Sequence, residues 1–346
     1  MRLLITGASG FLGQYVVAEA LRRGHQVRAV VRPSGDFKRL PWHEHPAAEL
    51  VRIDLRRQQS LADAVRGVDA VIHLAATKAG DFYTQFAGTV IATENLLKAM
   101  VEANVLRLVA ISTFSVYEYL KTPSGTLITE DSPLESNPLP RDEYAQTKLI
   151  QEEIVREFEQ KYGAQVTIIR PGMVYGRDNL WNACLGAELT GNLWLRIGAR
   201  AQMPLTYVEN CADAIVIAAE RNEAIGQTLN IVDDDLPTQS VYAQKLAERL
   251  DSLPRTIPVN WTLMRSIAGM FWAYNQRVLK GRAKLPGIVV PARLHARFKP
   301  LHYTNARAKQ VLDWQPRYSL DTALERSCSK VELLAVPDQT PSLQPS

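Results

Sequence analysis

Cysteine is scarce in this sequence. Among 346 residues there are three cysteines, Cys184, Cys211 and Cys328, and they are widely separated. Three scattered thiols exclude a disulfide framework and a Cys-x-x-Cys site, and no metal site is predicted. We therefore expect a protein of a reducing compartment, the cytoplasm.

Long apolar runs and an excess of one charge are also lacking. A membrane span needs about 18 apolar residues, and the most apolar long stretch, residues 261–280, is interrupted by Arg265, Gln276 and Arg277. No basic, apolar leader precedes the first predicted strand, so secretion is not expected. The 40 Lys and Arg residues against 36 Asp and Glu leave a net charge of +4. That charge is too small to indicate a nucleic-acid partner, although small anionic ligands remain compatible with it.

The residues that are present describe a globular chain. Hydrophobic residues make up 46% and charged residues 22%, with 19 glycines and 19 prolines spread along the sequence, which excludes disorder and coiled coil. Over the first 170 residues, short runs rich in Val, Ile, Leu and Ala alternate with longer amphipathic segments. This pattern predicts an α/β fold with a Rossmann-type doubly wound parallel sheet.

The alternation also predicts the elements and domains. The predicted strands are Arg2–Thr6, Gln26–Val31, Leu50–Asp54, Ala70–Leu74, Leu108–Ser112 and Val166–Arg170, and the predicted helices are Phe11–Arg23, Ser60–Arg66, Thr84–Ala103 and Tyr144–Tyr162. Most of residues 238–324 is predicted to be helical. We expect a dinucleotide-binding domain of residues 1–172 with 205–232, a smaller, mostly helical substrate domain of residues 173–204 with 233–330, and a disordered tail at 335–346.

Three glycines follow the first predicted strand. Gly7, Gly10 and Gly13 lie between that strand and the first predicted helix, which is the context that a dinucleotide-binding loop requires. Gly7 permits a tight turn, Gly10 lets the backbone approach a pyrophosphate, and Gly13 lets the helix pack closely on the strand. The alternative is an ordinary glycine turn.

The end of the second predicted strand indicates which dinucleotide is bound. An NAD site usually has an acidic residue about 20 residues beyond the glycines, where it binds the ribose 2′-hydroxyl. This sequence has Val31 there, followed by Arg32 and then by Ser34. Arg32 can hold a 2′-phosphate by charge-assisted hydrogen bonds, and Ser34 adds a hydroxyl donor. We therefore predict a preference for NADP over NAD; the alternative is that Arg32 is a solvated charge at a strand end.

The ends of the third and fourth predicted strands carry residues that can contact the rest of the cofactor. Asp54 can accept a hydrogen bond from the adenine amino group, or it can cap the approach to a helix. The small residues Leu74–Ala76, followed by Lys78, let a cofactor lie against the backbone at the carboxyl edge of the sheet. His73 lies inside a strand, which favours a hydrogen-bonded core histidine over a catalytic base.

Tyr144 and Lys148 are four residues apart at the start of a predicted helix, so they share one face. A lysine ammonium about 4 Å from a phenol favours the phenolate, and we expect it to lower the pKa of Tyr144. Tyr144 can then exchange a proton with a substrate oxygen, while Lys148 donates hydrogen bonds to the nicotinamide ribose. Tyr117 and Lys121 repeat the spacing, but the Thr-Pro-Ser-Gly segment at 122–125 excludes a helix there. Tyr117 is predicted to be a buried or loop tyrosine.

Hydroxyl groups collect at the end of the fifth predicted strand. Thr113 is the predicted donor that fixes the substrate oxygen near Tyr144, with Ser112 and Ser115 as substitutes. The alternative is that these hydroxyls only cap the strand end.

These motifs occur in a characteristic order along the chain. They are the glycine loop, Asp54–Leu55, His73–Ala76, Ser112–Tyr117, Tyr144 with Lys148, Arg170–Gly176, Tyr207–Ala214 and Lys309–Pro316. Together they resemble the extended short-chain dehydrogenases/reductases, specifically the epimerase/dehydratase and 3β-hydroxysteroid-dehydrogenase-like branches, over about residues 1–325. The resemblance implies that Thr113, Tyr144 and Lys148 are catalytic. With the motifs, it implies cofactor contacts by Gly7, Gly10, Phe11, Leu12, Gly13, Arg32, Asp54, Leu55, Leu74, Ala75, Ala76, Lys78, Tyr144, Lys148, Pro171 and Val174.

The sequence departs from the family pattern at several positions. Thr89 stands where the family often has Asn, and Glu118 replaces a glycine. Phe114 and Ser115 replace the Asp-Glu pair of sugar-nucleotide dehydratases. Because elimination of water needs such an acid–base pair, a dehydratase is disfavoured.

Three functions stay open. The favoured one is hydride transfer between NADP(H) and a secondary alcohol or ketone, which can be an apolar small molecule. The second is a nucleotide-sugar epimerase with tightly held NAD(P), in which Arg177, Arg196 and Arg200 would bind a pyrophosphate rather than remain solvated. The third is a non-catalytic NADP-binding regulator, which the presence of the catalytic residues argues against. Analogy with the family also allows a homodimer.

The basic, aromatic segment 261–284 has more than one interpretation. It can cover an apolar substrate, contact an anionic membrane surface, or pack on its own domain as an amphipathic helix with an exposed basic end. The last interpretation is favoured.

Overall fold

Seven parallel strands form the central sheet of the chain. The computed structural model describes residues 1–35, 38, 40–181, 185–190 and 193–336. Numbered along the chain, the strands of this sheet are β1 (Arg2–Thr6), β2 (Gln26–Val31), β3 (Ala48–Arg52), β4 (Ala70–His73), β5 (Arg107–Ile111), β7 (Gln165–Pro171) and β12 (Thr228–Ile231). Their order is β12-β7-β5-β4-β1-β2-β3.

The other strands of the described residues form three small sheets. They are β6 (Leu127–Ile128), β8 (Met173–Tyr175), β9 (Ala187–Thr190), β10 (Leu193–Ile197), β11 (Leu205–Tyr207), β13 (Arg255–Val259) and β14 (His302–Tyr303). The pairings are β13-β10-β9, β11-β8 and β14-β6.

The described helices, with two exceptions, cover both faces of the central sheet. The helices are α1 (Phe11–Arg22), α2 (Leu61–Val65), α3 (Phe82–Phe86), α4 (Ala92–Glu102), α5 (Glu143–Tyr162), α6 (Val208–Glu220), α7 (Gln239–Ala247), α8 (Trp261–Arg277), α9 (Pro291–Phe298), α10 (Ala306–Leu312) and α11 (Leu320–Cys328). The exceptions are α8 and α9, which pack with β10 in a separate cluster. A π-helical turn, Ala87–Ile91, joins α3 to α4. Among the described residues, no helix combines the length and apolar character needed to cross a bilayer.

Alternate residues of β1 serve two cores, because successive side chains of a strand point to opposite faces. Leu3 and Ile5 pack with α1 and α6 on one face. Leu4 packs with α2, α4 and α5 on the other. The predicted doubly wound sheet is confirmed.

The strand order reverses at β1, which pairs with β2 on one side and β4 on the other. In such sheets ligands bind outside the carboxyl ends of the strands at this reversal. Thr6 ends β1 and pairs with Val30 of β2 and His73 of β4, so these three strands end at one edge. This edge positions the site.

Three predicted elements differ from the structure. The strand predicted at Leu50–Asp54 is β3 and lies two residues earlier. The single helix predicted at Thr84–Ala103 is instead α3, the π-helical turn and α4, which begins only at Ala92. The mostly helical prediction for residues 238–324 missed β13 and β14. β13 contains Pro258, which is tolerated because β13 lies at the edge of its sheet.

The domain division stays a prediction. Cys184 and most of the predicted tail, residues 337–346, lie outside the described residues.

Candidate active site

A cleft of about 1650 Å³ opens at the carboxyl edge of the central sheet. A pocket for one small ligand is typically roughly 300–1,000 Å³, so this cleft has room for two ligands side by side. Its lining includes the residues that the sequence implicated in cofactor binding and catalysis, with the exception of Ser34. The residues divide into an adenosine end at the tips of β2 and β3, the glycine loop, a catalytic centre on β5 and α5, and a substrate end.

The glycine loop is fitted tightly between β1 and α1. Gly7 has a φ of +69°, and a Cβ added to it would lie 2.9 Å from the backbone nitrogen of Ala75. A Cβ at Gly13 would lie 2.1 Å from the carbonyl oxygen of Gly7. Gly10 provides no side-chain cap for α1, which leaves the first N–H groups of this helix available to an anion in the cleft. The loop therefore fits the pyrophosphate of a dinucleotide.

The adenosine end brings together Arg32, Asp54 and a residue that sequence reasoning missed, Arg56. Arg32 is exposed at the end of β2 and lines the cleft. The Asp54 carboxylate accepts hydrogen bonds from Arg56 Nε at 2.9 Å and Nη2 at 2.6 Å. These bonds lower the pKa of Asp54. Asp54 therefore stays an anionic acceptor in the cleft wall, with a second arginine beside it.

The loop after β4 is held against the π-helical turn. The Thr77 backbone N–H donates a hydrogen bond to Thr89 Oγ1 at 3.1 Å. A Cβ at Gly88 would lie 2.0 Å from Thr77 Oγ1, so the two segments pack in direct contact. Thr89, the position where the family often has Asn, thus supports the cleft wall formed by Leu74–Lys78.

A buried chain of hydrogen bonds links β1 to α5. Thr6 Oγ1 contacts His73 Nδ1 at 2.7 Å, and His73 Nε2 contacts Thr93 Oγ1 at 2.9 Å. Gln151 Nε2 donates to the same Thr93 oxygen at 2.8 Å, while its Oε1 accepts from Lys148 Nζ at 2.5 Å. Burial lowers the pKa of His73 to about 3, so the imidazole is neutral. The predicted core histidine is confirmed; the Thr93 and Gln151 links carried no sequence signal.

Lys148 is anchored beneath the cleft. Asp142 caps α5 by accepting a hydrogen bond from the Ala145 N–H at 3.0 Å, which starts the helix just before Tyr144. One turn later, Lys148 Nζ also donates to the carbonyl oxygen of Ile111 at 2.5 Å. Burial, and next the Lys78 ammonium, lower the pKa of Lys148 to about 7.

Tyr144 lines the cleft with its ring 5.7 Å from the Lys78 ammonium. Burial raises its pKa to about 12, against a smaller lowering by the Thr113 hydroxyl. The expectation that Lys148 lowers the pKa of Tyr144 is therefore wrong for this structure. Desolvation sets the direction of the shift, and the Lys148 ammonium is bonded to Ile111 and Gln151 instead.

Thr113 both caps the strand end and lines the cleft. Its Oγ1 accepts a hydrogen bond from the Ser115 N–H at 3.2 Å, which starts the 3₁₀ turn Phe114–Val116. Ser112, Ser115 and Tyr144 line the same cleft. The two interpretations of Thr113 are thus compatible.

Tyr117, the second candidate phenol, lies in the core. Its hydroxyl donates to Asn230 Oδ1 at 2.6 Å and accepts from Arg170 Nη1 at 3.1 Å. Arg170 in turn forms two bonds to the buried Glu152 carboxylate, at 2.9 and 2.7 Å. The prediction of a buried tyrosine is confirmed.

The substrate end of the cleft is largely apolar. Its lining includes Pro171–Val174, Trp181, Leu189, Trp194, Pro286–Ile288 and Ala296, with Arg141, Arg293 and Arg297 as cations. Trp181 and Trp194 meet edge to face at 5.8 Å. Asp142, Glu143 and Glu188 also line the cleft, so its apolar residues offer a surface for a hydrophobic ligand beside charged groups.

The three arginines suggested for a pyrophosphate lie elsewhere. Arg177, Arg196 and Arg200 are not among the described residues that line the cleft. The Arg177 guanidinium instead donates to the carbonyl oxygens of Ser329 at 2.8 Å and Val331 at 2.7 Å. It thereby holds the C-terminal segment.

The fold and the cleft define a class: an α/β enzyme with a dinucleotide-binding glycine loop and a Thr, Tyr and Lys constellation beside it. The model of the NAD dependent epimerase/dehydratase family matches residues 3–232, and the chain belongs to this family. It is an enzyme that uses a nicotinamide cofactor on a small-molecule substrate. The predicted family, fold and enzyme class are confirmed.

The chain is similar to several characterised proteins. It is 26% identical to a 3-beta-hydroxysteroid dehydrogenase of Mycolicibacterium neoaurum, over 93% of this chain and 89% of the relative. It is 27% identical to the human sterol-4-alpha-carboxylate 3-dehydrogenase, decarboxylating, over 94% of this chain and 87% of the relative. The crystal structure of UDP-glucuronic acid 4-epimerase from Bacillus cereus in complex with NAD superposes with a TM-score of 0.70 at 20% identity, covering 95% of this chain and 97% of that chain.

Proposed function

We propose that the protein is an NADP(H)-dependent oxidoreductase that interconverts a secondary alcohol and a ketone on an apolar, steroid-like substrate. One observation carries the proposal: the glycine loop, Thr113, Tyr144 and Lys148 all line one cleft whose far end is apolar. A cofactor on the glycine loop and a substrate at the apolar end would then meet beside Tyr144.

Each catalytic side chain has a distinct task in this proposal. Lys148 and Pro171–Val174 would hold the nicotinamide, which would supply or accept the hydride when bound. Because burial raises its pKa to about 12, Tyr144 stays protonated at neutral pH and donates its proton to the carbonyl oxygen during reduction. The Thr113 hydroxyl orients that oxygen.

The preference for NADP over NAD rests on Arg32. It lies in the cleft wall at the end of β2, directly after Val31, which stands where an NAD site usually has the acidic residue that binds a ribose 2′-hydroxyl. Arg56 adds a second guanidinium to the same end of the cleft. Two arginines favour a 2′-phosphate by charge-assisted hydrogen bonds.

The substrate class follows from the walls of the cleft and from the relatives. Arg177 is bonded to backbone carbonyls away from the cleft, so it does not support binding of a nucleotide-sugar pyrophosphate there. Two relatives aligned over most of both chains are a hydroxysteroid dehydrogenase and a sterol-carboxylate dehydrogenase. A fused-ring alcohol or ketone fits both observations.

The direct test compares Tyr144→Phe with Tyr117→Phe, the matched change at the other Tyr-x-x-x-Lys segment. We expect wild type to oxidise NADPH stoichiometrically with a ketosteroid from a panel. Tyr144→Phe should lower kcat roughly a hundredfold or more, the usual contribution of a positioned acid. Tyr117→Phe should keep its activity in a folded protein, checked by thermal unfolding.

Two outcomes would overturn this function. Conversion of a nucleotide sugar without net cofactor turnover would identify the epimerase instead. Unchanged conversion of every substrate by Tyr144→Phe would favour the non-catalytic regulator.

A further inference from the structure

An apolar stripe runs along the outside of α8. It consists of Leu263, Ile267, Met270, Phe271, Tyr274 and Val278, spaced as one helical face. Met270 is 64% exposed, Phe271 51% and Val278 58%. The stripe is separate from the inner face of α8, where Met264 and Ala268 pack against β10 and α9. A helix that presents a second apolar face to solvent is typical of a docking element.

In the sequence around this stripe, all the charged residues are the cations Lys and Arg. Residues 252–312 contain eleven Lys and Arg and no Asp or Glu. Five of these cations, Arg265, Arg277, Lys280, Arg282 and Lys284, lie on α8 or directly after it and are exposed. The net charge of the whole chain is only +4, so the positive charge is concentrated here.

A buried asparagine holds the basic loop against the helix. Asn275 Nδ2 donates to the carbonyl oxygen of Ala283 at 3.1 Å, and its Oδ1 accepts from the Ala283 N–H at 3.2 Å. The Gly281 N–H donates to the Asn275 carbonyl at 2.9 Å. Lys280 and Arg282 therefore stay beside the last turns of α8, at one end of the stripe.

We propose that α8 docks on an anionic bilayer surface. The stripe enters the boundary between headgroups and acyl chains, and the cations contact lipid phosphates, the arrangement of an interfacial helix. A second copy of this chain is a poorer occupant, because it would bring two surfaces of the same charge together. This inference does not depend on the proposed reaction.

Docking in this orientation would place the substrate end of the cleft near the lipid. The inner side of α8 packs on Gly287–Val289 and on α9. These two elements supply Gly287, Ile288, Ala296 and Arg297 to the cleft lining. An apolar substrate dissolved in the bilayer then has a short path to the cleft.

Vesicle sedimentation of the full chain tests the proposal. We expect binding to phosphatidylcholine vesicles containing phosphatidylglycerol, and weak binding to pure phosphatidylcholine. Met270→Ser with Phe271→Ser should weaken binding at least tenfold. Lys280→Gln, Arg282→Gln and Lys284→Gln together should weaken it roughly a hundredfold, because each cation near an anionic surface contributes severalfold.

Matched control variants test whether vesicle binding depends on the position of these residues on and beside α8, or only on the loss of apolar groups or charge. Val241→Ser with Tyr162→Ser removes exposed apolar groups elsewhere, and Lys98→Gln, Lys161→Gln and Lys330→Gln remove the same charge elsewhere. Both controls should bind within about twofold of wild type. Equal loss in variants and controls, no binding to anionic vesicles, or a wild-type dimer in light scattering that Met270→Ser with Phe271→Ser dissociates, would each overturn the proposal.

Discussion

Arg32 is the residue on which the cofactor preference depends. Replacing it by alanine removes the guanidinium proposed to bind a 2′-phosphate. Hydrogen bonds to charged groups contribute about 1.5–3 kcal/mol each, so Arg32→Ala should weaken NADP binding roughly ten- to a hundredfold. The dissociation constant of NAD should change little. Titration calorimetry of both cofactors with wild type and variant measures this difference.

A second arginine provides the control. Arg66 is exposed, pairs with Asp63 at 2.7 Å, and is not among the described residues of the cleft. Arg66→Ala should leave both dissociation constants unchanged. Equal affinity of the wild type for NADP and NAD would remove the proposed role of Arg32.

The pKa of Tyr144 is a property of a single residue that the sequence did not predict correctly. The spacing of Tyr144 and Lys148 correctly placed both side chains in the cleft. The direction of the pKa shift was wrong, because it depends on how many atoms exclude water from the phenol. That quantity comes from β5, α5 and the loop after β4 together, and no local pattern encodes it.

At the scale of elements, prediction succeeded where local pattern and tertiary structure agree. β1, the glycine loop and α1 were all predicted, because a buried apolar run, a glycine series and an amphipathic helix follow one another directly. β9, β10 and β13 were not predicted, since β10 becomes a strand by pairing with β9 and with residues 255–259, which lie far away in sequence. The π-helical turn inside the predicted Thr84–Ala103 helix has the same kind of origin, in the packing of Gly88 on Thr77.

The buried hydrogen bonds that link Thr6 to Lys148 through His73 predict that the free energy of unfolding depends on pH. His73 has a pKa of about 3 in the folded protein and about 6.5 when unfolded. Between these values the unfolded chain binds the proton first, so His73 should cost about 1.4 kcal/mol of unfolding free energy for each unit that the pH falls below about 6.5. His73→Gln should lack this slope, measured by urea unfolding from pH 7 to pH 4.5.

The readout is the difference between the two proteins. Burial raises the pKa of Asp233 to about 7, which changes stability in the opposite sense over the same pH range. Asp233 is present in both proteins, so its effect cancels in the difference. Parallel curves for wild type and His73→Gln would show that His73 is not the titrating group.

At the scale of the whole molecule, the C-terminal segment is tied to the first helix. Arg317 Nη2 donates to Glu19 Oε1 at 2.8 Å and to Asp213 Oδ1 at 2.5 Å. Both carboxylates are buried, and Arg23 is the other arginine bonded to them. Arg317 thus connects α1, α6 and the segment before α11.

Removing Arg317 should destabilise the protein. In Arg317→Gln, Arg23 and a longer contact of 3.7 Å from Arg22 to Glu19 would remain to neutralise the two buried carboxylates, and we expect a loss of about 2 kcal/mol at pH 7, reduced because Arg317 is partly exposed. The loss should be smaller at pH 5, where Asp213, whose pKa burial raises, is closer to protonation. Chemical denaturation at the two pH values measures both effects.

Arg221→Gln is the matched control for this change. Arg221 pairs with Asp313 at 3.1 Å, and the Asp313 side chain is 83% exposed. An exposed pair contributes less than about 1 kcal/mol. If both variants lost the same free energy at both pH values, the cluster around Arg317 would have no special role.

The residues just after α1 lie next to both extremities of the described chain. Arg22 donates to the carbonyl oxygens of Leu333 at 2.6 Å and Ala335 at 3.0 Å. Three residues later, His25 Nδ1 contacts the amino group of Met1 at 3.3 Å. A short flexible linker could therefore join the two extremities covalently, and the ring could be reopened at the exposed turn around Gly125. Such a circular permutant should keep the same cofactor cleft with an entirely different order of synthesis.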